Sequence, residues 1–212
     1  MVFRLSPKVI TFPDPALADE DGLLAIGGDL SEARLLQAYR QGIFPWYNEE
    51  DPICWYAPKA RCVIFSERVK VSKSMQQVLR KGLFEVTFNQ AFGAVIGHCA
   101  GISRKGQTGT WIGPDMQEAY MRLHESGHAH SVEVWRDGRL AGGLYGIVTD
   151  RVFCGESMFS LEPNASKTAL IWLCRQNQYP LIDCQMPNEH LMSLGAEMIP
   201  MEEYRHLLQQ YA

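Results

Sequence analysis

The stretch AHSVEVWRDGRLAGGLYGIVTDRVFCGESMF, residues 129–159, decides the fold. Its first two segments, AHSVEVW and RLAGGLYGIV, flank Asp137-Gly138, a dipeptide suited to the left-handed positions of a two-residue hairpin turn. A third strand candidate, RVFCGESMF, follows, so the stretch reads as an antiparallel meander. Beyond it, LEPNASKTALIWLCRQ reads as a loop and then a helix capped near Asn164 or Ser166. LIDCQ, residues 181–185, reads as a further strand, and YRHLLQQY as a closing helix. Ahead of the meander, RCVIF from Arg61 and FEVTFN are strand candidates. SKSMQQVLRKG is a helix that Gly82 ends, and DMQEAYMRLHES, residues 115–126, is a helix that Gly127 stops. Helices alternating with a central antiparallel meander predict a mixed α/β fold, a curved sheet with helices against it.

Residues 1 to about 60 have a different texture, with Pro and Gly dense in FPDPALADEDGLLAIGGDL and GIFPWYNEEDPICWYAP. Between these, SEARLLQAYRQG reads as a short helix. Ser31 is placed as its N-cap, Gly42 as its stop, and Leu35, Leu36, Ala38 and Tyr39 form its apolar stripe. Trp46, Tyr47, Trp55 and Tyr56 make this a small folded unit rather than a linker. The expected division is a small N-terminal domain over 1–62 and a larger domain over 63–212.

The 212 residues are 46% hydrophobic and 21% charged, an ordinary globular composition. A formal charge of -4 argues against a generic polyanion binder and leaves room for a local basic patch. The six cysteines, at 54, 62, 99, 154, 174 and 184, have irregular spacing and no CxxC pair. Reduced, mostly buried thiols in a cytoplasmic protein are expected. No stretch approaches 18 apolar residues and MVFRLSPKVITFPDP has no apolar core, so neither a membrane span nor a signal peptide is expected.

LIDCQ poses the chemical question. Side chains alternate across a strand, which puts Asp183 and Gln185 on one face. A carboxylate beside a carboxamide there is costly to bury without partners, so the pair is either solvated or faces a site. Glu156 raises the same question in RVFCGESMF. By parity Phe153, Gly155 and Ser157 share a face that Glu156 does not, and only a bulge or splay at Gly155 would let Glu156 and Phe153 line one pocket.

Other candidates carry less. His128 and His130 stand two apart with no further ligand at useful spacing, so no metal is expected. Ser157 in CGESMFS lacks the frame of a nucleophile elbow. Cys154 and Cys184 read as buried and inert. Arg68, Lys70, Lys73, Arg80 and Lys81 gather on a strand-like segment and the next helix, and read as a phosphate-contacting surface.

Meander, helix and further strand is the layout of GNAT-type N-acetyltransferases, which cradle a CoA pyrophosphate on a glycine-rich loop before that helix. The corresponding loop here, SLEPNAS, has no glycine, and it offers Glu162 and Pro163 where backbone donors are needed. CoA is therefore not expected.

Three long stretches carry a further resemblance: GLLAIGGDLSEARLLQAYRQGIFPWY, FCGESMFSLEPNASKTAL and LIDCQMPNEHLMSLGAEMIP. With TGTWI, HESGHAHSVEVW and AGGLYG they closely resemble leucyl/phenylalanyl-tRNA–protein transferases over nearly the whole chain. The resemblance implies a small N-terminal domain joined to a GNAT-like domain without CoA. It implies transfer of Leu or Phe, and Met less readily, from aminoacyl-tRNA to proteins beginning with Arg or Lys, marking them for the N-degron pathway. It further implies that Gln185 orients the incoming amine, that Asp183 polarises that amide, and that Glu156 lines the site. The donor pocket it implies comprises Trp46, Trp111, Leu144, Phe153, Gly155, Ser157 and Ile182, at the domain boundary. Lys70, Lys73, Arg80 and Lys81 are the implied tRNA contacts. No cofactor and no metal is implied, because turning an aminoacyl ester into an amide is downhill. A monomer is expected.

Overall fold

The computed structural model describes residues 2–102 and 110–212, so Thr108 and Gly109 of TGTWI lie outside the described residues. The N-terminal region is more regular than its composition suggests. Strands β1 (Phe3–Leu5) and β2 (Leu23–Gly27) precede helix α1 (Glu32–Tyr39), and β3 (Phe44–Pro45) and β4 (Cys54–Tyr56) follow it. The four strands form one sheet in the order β1-β2-β4-β3. Strands this short and rich in Gly and Pro carry little periodicity, which is why the sequence reads as irregular there.

The larger sheet draws on β5 (Ala60–Phe65), β6 (Glu85–Phe88), β7 (Ala129–Arg136), β8 (Arg139–Thr149), β9 (Val152–Ser160), β10 (Leu181–Gln185) and β11 (Glu197–Pro200). Their order is β11-β5-β10-β9-β8-β7-β6. Every adjacent pair is antiparallel except β9 and β10, which run parallel. The meander forms as expected: Asp137 and Gly138 both adopt positive φ, 50° and 72°, which matches the twist of the strands they join. Helices α2 (Lys73–Lys81), α3 (Phe92–Gly101), α4 (Pro114–Glu125), α5 (Ala165–Arg175), α6 (Glu189–Ser193) and α7 (Met201–Gln210) complete the described chain. Gly82 ends α2 in the left-handed region, φ 61°.

Alternate residues of the large sheet enter two separate cores. Val63, Tyr145, Cys154 and Leu181 pack with α3, α4, α7 and the N-terminal unit, whereas Ile64, Leu144, Phe153 and Ile182 pack with α2 and α5. This is the period-two signature of a sheet covered on both faces, and it explains why all five residues of LIDCQ are buried. The first core also contains Leu24 and Trp55, so the two sheets share it. A division after residue 62 falls inside β5. Five of the six cysteines are buried and Cys54 is half-buried. Among the described residues no helix is long and apolar enough to cross a membrane.

Candidate active site

The parallel ladder between β9 and β10 stops at Cys154 and Asp183, and there the two strands are interrupted in the same way. Tyr145 pairs with Ser157 and Gly146 with Gly155, leaving Glu156 as an extra residue in β9. Val63 pairs with Asp183 and Cys62 with Gln185, leaving Cys184 as an extra residue in β10. Both are β-bulges, which re-aim side chains that strict alternation would send elsewhere. Gln185 completes the second bulge in the left-handed region, φ 54°, a conformation unusual for a residue with a side chain.

A cleft of about 830 Å³ opens beside these bulges. Leu144, Phe153, Gly155, Ser157 and Ile182 line it, together with Glu156 and Gln185. Met158, Leu170, Met186 and Leu191 extend its apolar wall. Gly155 has room rather than need, since an added Cβ would meet only the Asp183 carbonyl oxygen, at 3.5 Å.

Inside the cleft the Gln185 amide Nε2 donates to Glu156 Oε1 at 3.0 Å. Glu156 Oε2 accepts from the Tyr120 hydroxyl at 2.9 Å, and that hydroxyl meets the Tyr39 hydroxyl behind it. Burial pushes the Glu156 carboxyl up to about 7, against the pull of the Tyr39 and Tyr120 hydroxyls, while Asp183 adds to the rise and Arg61 opposes it. A carboxyl in that range exchanges a proton near neutrality, so this wall can accept and return one.

Asp183 is placed differently from the sequence expectation. It does not line the cleft. Its side chain is 1% exposed, and Oδ1 sits 3.1 Å from Arg61 Nε. Tyr204 donates to Oδ2 at 2.8 Å, and the backbone N–H of Gln185 donates to Oδ1 at 2.9 Å. Face-sharing between residues 183 and 185 fails because the bulge at Cys184 separates them. The carboxylate on the Gln185 side-chain amide is that of Glu156, and Asp183 holds the Gln185 backbone instead.

Two tryptophans are also placed apart. Trp46 is 40% exposed and packs edge-on against Tyr56, 5.6 Å between ring centres, and Trp111 packs half-buried against the first core. Neither lines the cleft. Lys70, Lys73, Arg80 and Lys81 are exposed, and none of the four has an acidic partner within ion-pair distance among the described residues. Arg80 and Lys81 occupy the last turn of α2, where cations also complement the helix dipole. Arg68 is engaged elsewhere, 3.0 Å from Glu197 and over the Phe65 ring. His128 lies 3.7 Å from Glu32, and His130 meets the Asn89 amide, so the two histidines serve separate contacts.

Arg61, Tyr39, Tyr120 and Tyr204 are the supporting residues that motif reading passed over. Tyr39 counted as part of an apolar stripe and Arg61 as the polar start of a strand. The available signal was Asp183 itself, because a carboxylate inside a doubly covered strand requires a cation nearby. His190 was also missed. It lines the cleft with a buried Nε2 that has no partner among the described residues, and burial lowers its pKa, as does Lys167.

A family model described as leucyl/phenylalanyl-tRNA protein transferase matches residues 63–209, and one described as the N-terminal domain of that transferase matches residues 28–59. A leucyl/phenylalanyl-tRNA–protein transferase of Syntrophus aciditrophicus (strain SB) is 56% identical over 206 residues, 96% of this chain and 86% of that protein. One from Flavobacterium johnsoniae is 53% identical over 204 residues, 95% of this chain and 96% of that protein. Among solved structures, a GCN5-related N-acetyltransferase from Kribbella flavida aligns with a TM-score of 0.41 and 11% identity, covering 77% of this chain and 58% of that one. The chain belongs to the leucyl/phenylalanyl-tRNA–protein transferase family and is a transferase.

Proposed function

We propose that the cleft joins a leucyl or phenylalanyl group, and a methionyl group less readily, from aminoacyl-tRNA to the α-amino group of a protein beginning with Arg or Lys. Such a product is marked for the N-degron pathway, in the cytoplasm. The observation that carries this reading is the contact between Gln185 Nε2 and Glu156 in the wall of a largely apolar cleft. Its volume, about 830 Å³, falls among small-molecule pockets, which span about 300–1,000 Å³. That is room for an apolar donor side chain with the end of its tRNA.

In the reaction the acceptor nitrogen attacks the ester carbonyl carbon. The C–N bond forms, the C–O bond to the tRNA ribose breaks, the amine loses a proton and the ribose oxygen gains one. No step requires ATP or an electron carrier. A free α-amino group titrates at about 7.7–8.0, so near neutrality about a tenth is already nucleophilic. Orientation therefore matters more than activation. With Nε2 committed to Glu156, the Gln185 Oε1 is left to accept an N–H of the incoming amine. Glu156 is poised to take the proton that the amine sheds. Asp183 acts from behind by fixing the Gln185 backbone.

Leu144, Phe153, Ser157 and Ile182 would form the donor slot. A hydrophobic slot separates side chains differing by one methylene by only about 1–3 kcal/mol, which explains a ranked set of donors. Lys70, Lys73, Arg80 and Lys81 offer unpaired cations for tRNA phosphates, and the shape of the acceptor end would be read rather than its bases.

The test is one incubation with labelled Phe-tRNA and a model protein beginning with Arg, without ATP. Label in acid-insoluble protein is the expected result, absent when the acceptor begins with Ala. No incorporation into either acceptor contradicts the proposal.

A further inference from the structure

The two carboxylates of the site are anchored to one short segment that does not line the cleft. Tyr39, the last residue of α1, meets Tyr120, whose hydroxyl donates to Glu156. Three residues on, the Gly42 carbonyl oxygen accepts from Arg61 Nη2 at 2.7 Å, and Arg61 Nε lies 3.1 Å from Asp183. The guanidinium is clamped between the Phe44 and Tyr204 rings, its Cζ 4.8 and 4.7 Å from their centres. Gly42 has φ 76°, and an added Cβ would come within 3.1 Å of the Tyr204 ring, so the segment is tightly fitted around this arginine.

We propose that Arg61 is a positioning residue for acyl transfer: it fixes the Asp183 carboxylate in place, and Asp183 in turn holds Gln185 in the left-handed turn that presents its amide to Glu156 and the cleft. Positive φ is uncommon and costly for a glutamine, so its surroundings must favour it. The described backbone hold is the bond from the Gln185 N–H to Asp183 Oδ1, the same oxygen that Arg61 Nε faces at 3.1 Å. Among the described residues, Arg61 is the cation facing Asp183 within ion-pair distance. Among the described residues, the other titratable groups around Asp183 are Tyr204 on α7, Cys154 and Glu156 on β9, Cys62 on β5 and Cys184 on β10, none of which supplies positive charge. Glu156 is faced by Tyr39, Tyr120, Asp183 and Arg61, and of these only Arg61 is a cation. Loss of Arg61 therefore removes the ion-pair partner of Asp183 and the cation that opposes the rise at Glu156. The N-terminal unit thus sets the geometry of a cleft it does not line.

The proposal rests on the reaction assigned above, so its test has one readout independent of activity. Arg61→Lys and Arg61→Met are compared with the parent chain by amide hydrogen exchange at Gln185 followed by NMR, and by single-turnover transfer of Phe between pH 6 and 9. In Arg61→Met the Gln185 amide loses protection, kcat falls about tenfold or more with KM for Phe-tRNA little changed, and the acid limb moves to higher pH. Arg61→Lys, which keeps the charge, recovers part of all three. The exchange result stands even if the assigned reaction were wrong. If Arg61→Met melts lower, the double variant Arg61→Met/Asp183→Leu removes both charges and restores folding. That variant is expected to be folded, unprotected at Gln185 and slow. A folded Arg61→Met or double variant that keeps Gln185 protection, or the parent rate and acid limb, overturns the proposal.

Discussion

Asp183 and Glu156 lie on neighbouring strands next to the same cleft, yet their surroundings differ in the one respect that matters for charge. Asp183 has a guanidinium at 3.1 Å, a tyrosine hydroxyl and a backbone N–H, and it is shut off from the cleft. Glu156 has two tyrosines and a glutamine amide, no cation in contact among the described residues, and a surface on the cleft. The first environment pairs a carboxylate with a fixed cation, and the second lets one exchange protons near neutrality. A structural charge and a chemical charge are thus built from the same functional group by what surrounds it.

Replacing each carboxylate by its amide sharpens the contrast, because the two changes have opposite signs. Asp183→Asn strands the Arg61 guanidinium in the interior, and breaking a buried pair from one side costs about 3–5 kcal/mol. Chemical denaturation at pH 8 is expected to show a loss of that order, and a loss under about 1 kcal/mol would mean that the pair is not sealed from solvent.

Glu156→Gln should instead stabilise the fold at pH 8. The folded state raises this carboxyl from 4.5 to about 7, so between those values the native chain holds a proton that the unfolded chain has released. The stabilisation from this group is complete below about pH 4.5 and is lost as pH rises towards about 7. The shift corresponds to roughly 3 kcal/mol, at about 1.4 kcal/mol per pKa unit. Unfolding of the parent chain across that window should show stability falling from this group, and the Gln variant should show a shallower fall. Its transfer activity should drop even as its stability rises. A smaller effect is expected from Tyr120→Phe. Losing one hydroxyl that favours the charged carboxylate should raise the Glu156 midpoint by up to about one unit, equivalent to about 1.4 kcal/mol, as read by a carbon-13 titration of its carboxyl.

Much of the fold was legible because its strands announce themselves. The meander turns on Asp137-Gly138, and LIDCQ became β10 with the same boundaries. The four-stranded N-terminal sheet and α3 were not legible: two- to five-residue strands carry too few alternations, and FGAVIGHCAG is apolar on most faces and so lacks a stripe. At the site, a bulge near Gly155 could be anticipated from parity, whereas the bulge at Cys184 could not, since no glycine marks it. That single extra residue sends Asp183 to Arg61 and Gln185 to the cleft. The supporting arginine and tyrosines are distant in sequence from the residues they hold, so only the folded chain brings them together.

The central claim is that the Gln185 amide, held by Glu156 and presented into the apolar cleft, orients the attacking amine. Gln185→Asn tests it most directly, because asparagine accepts the left-handed backbone but is one methylene short of Glu156. Single-turnover transfer of Phe to an Arg-initiated acceptor should fall about a hundredfold while the melting profile stays that of the parent chain. A rate equal to the parent's, with the fold intact, would contradict the account.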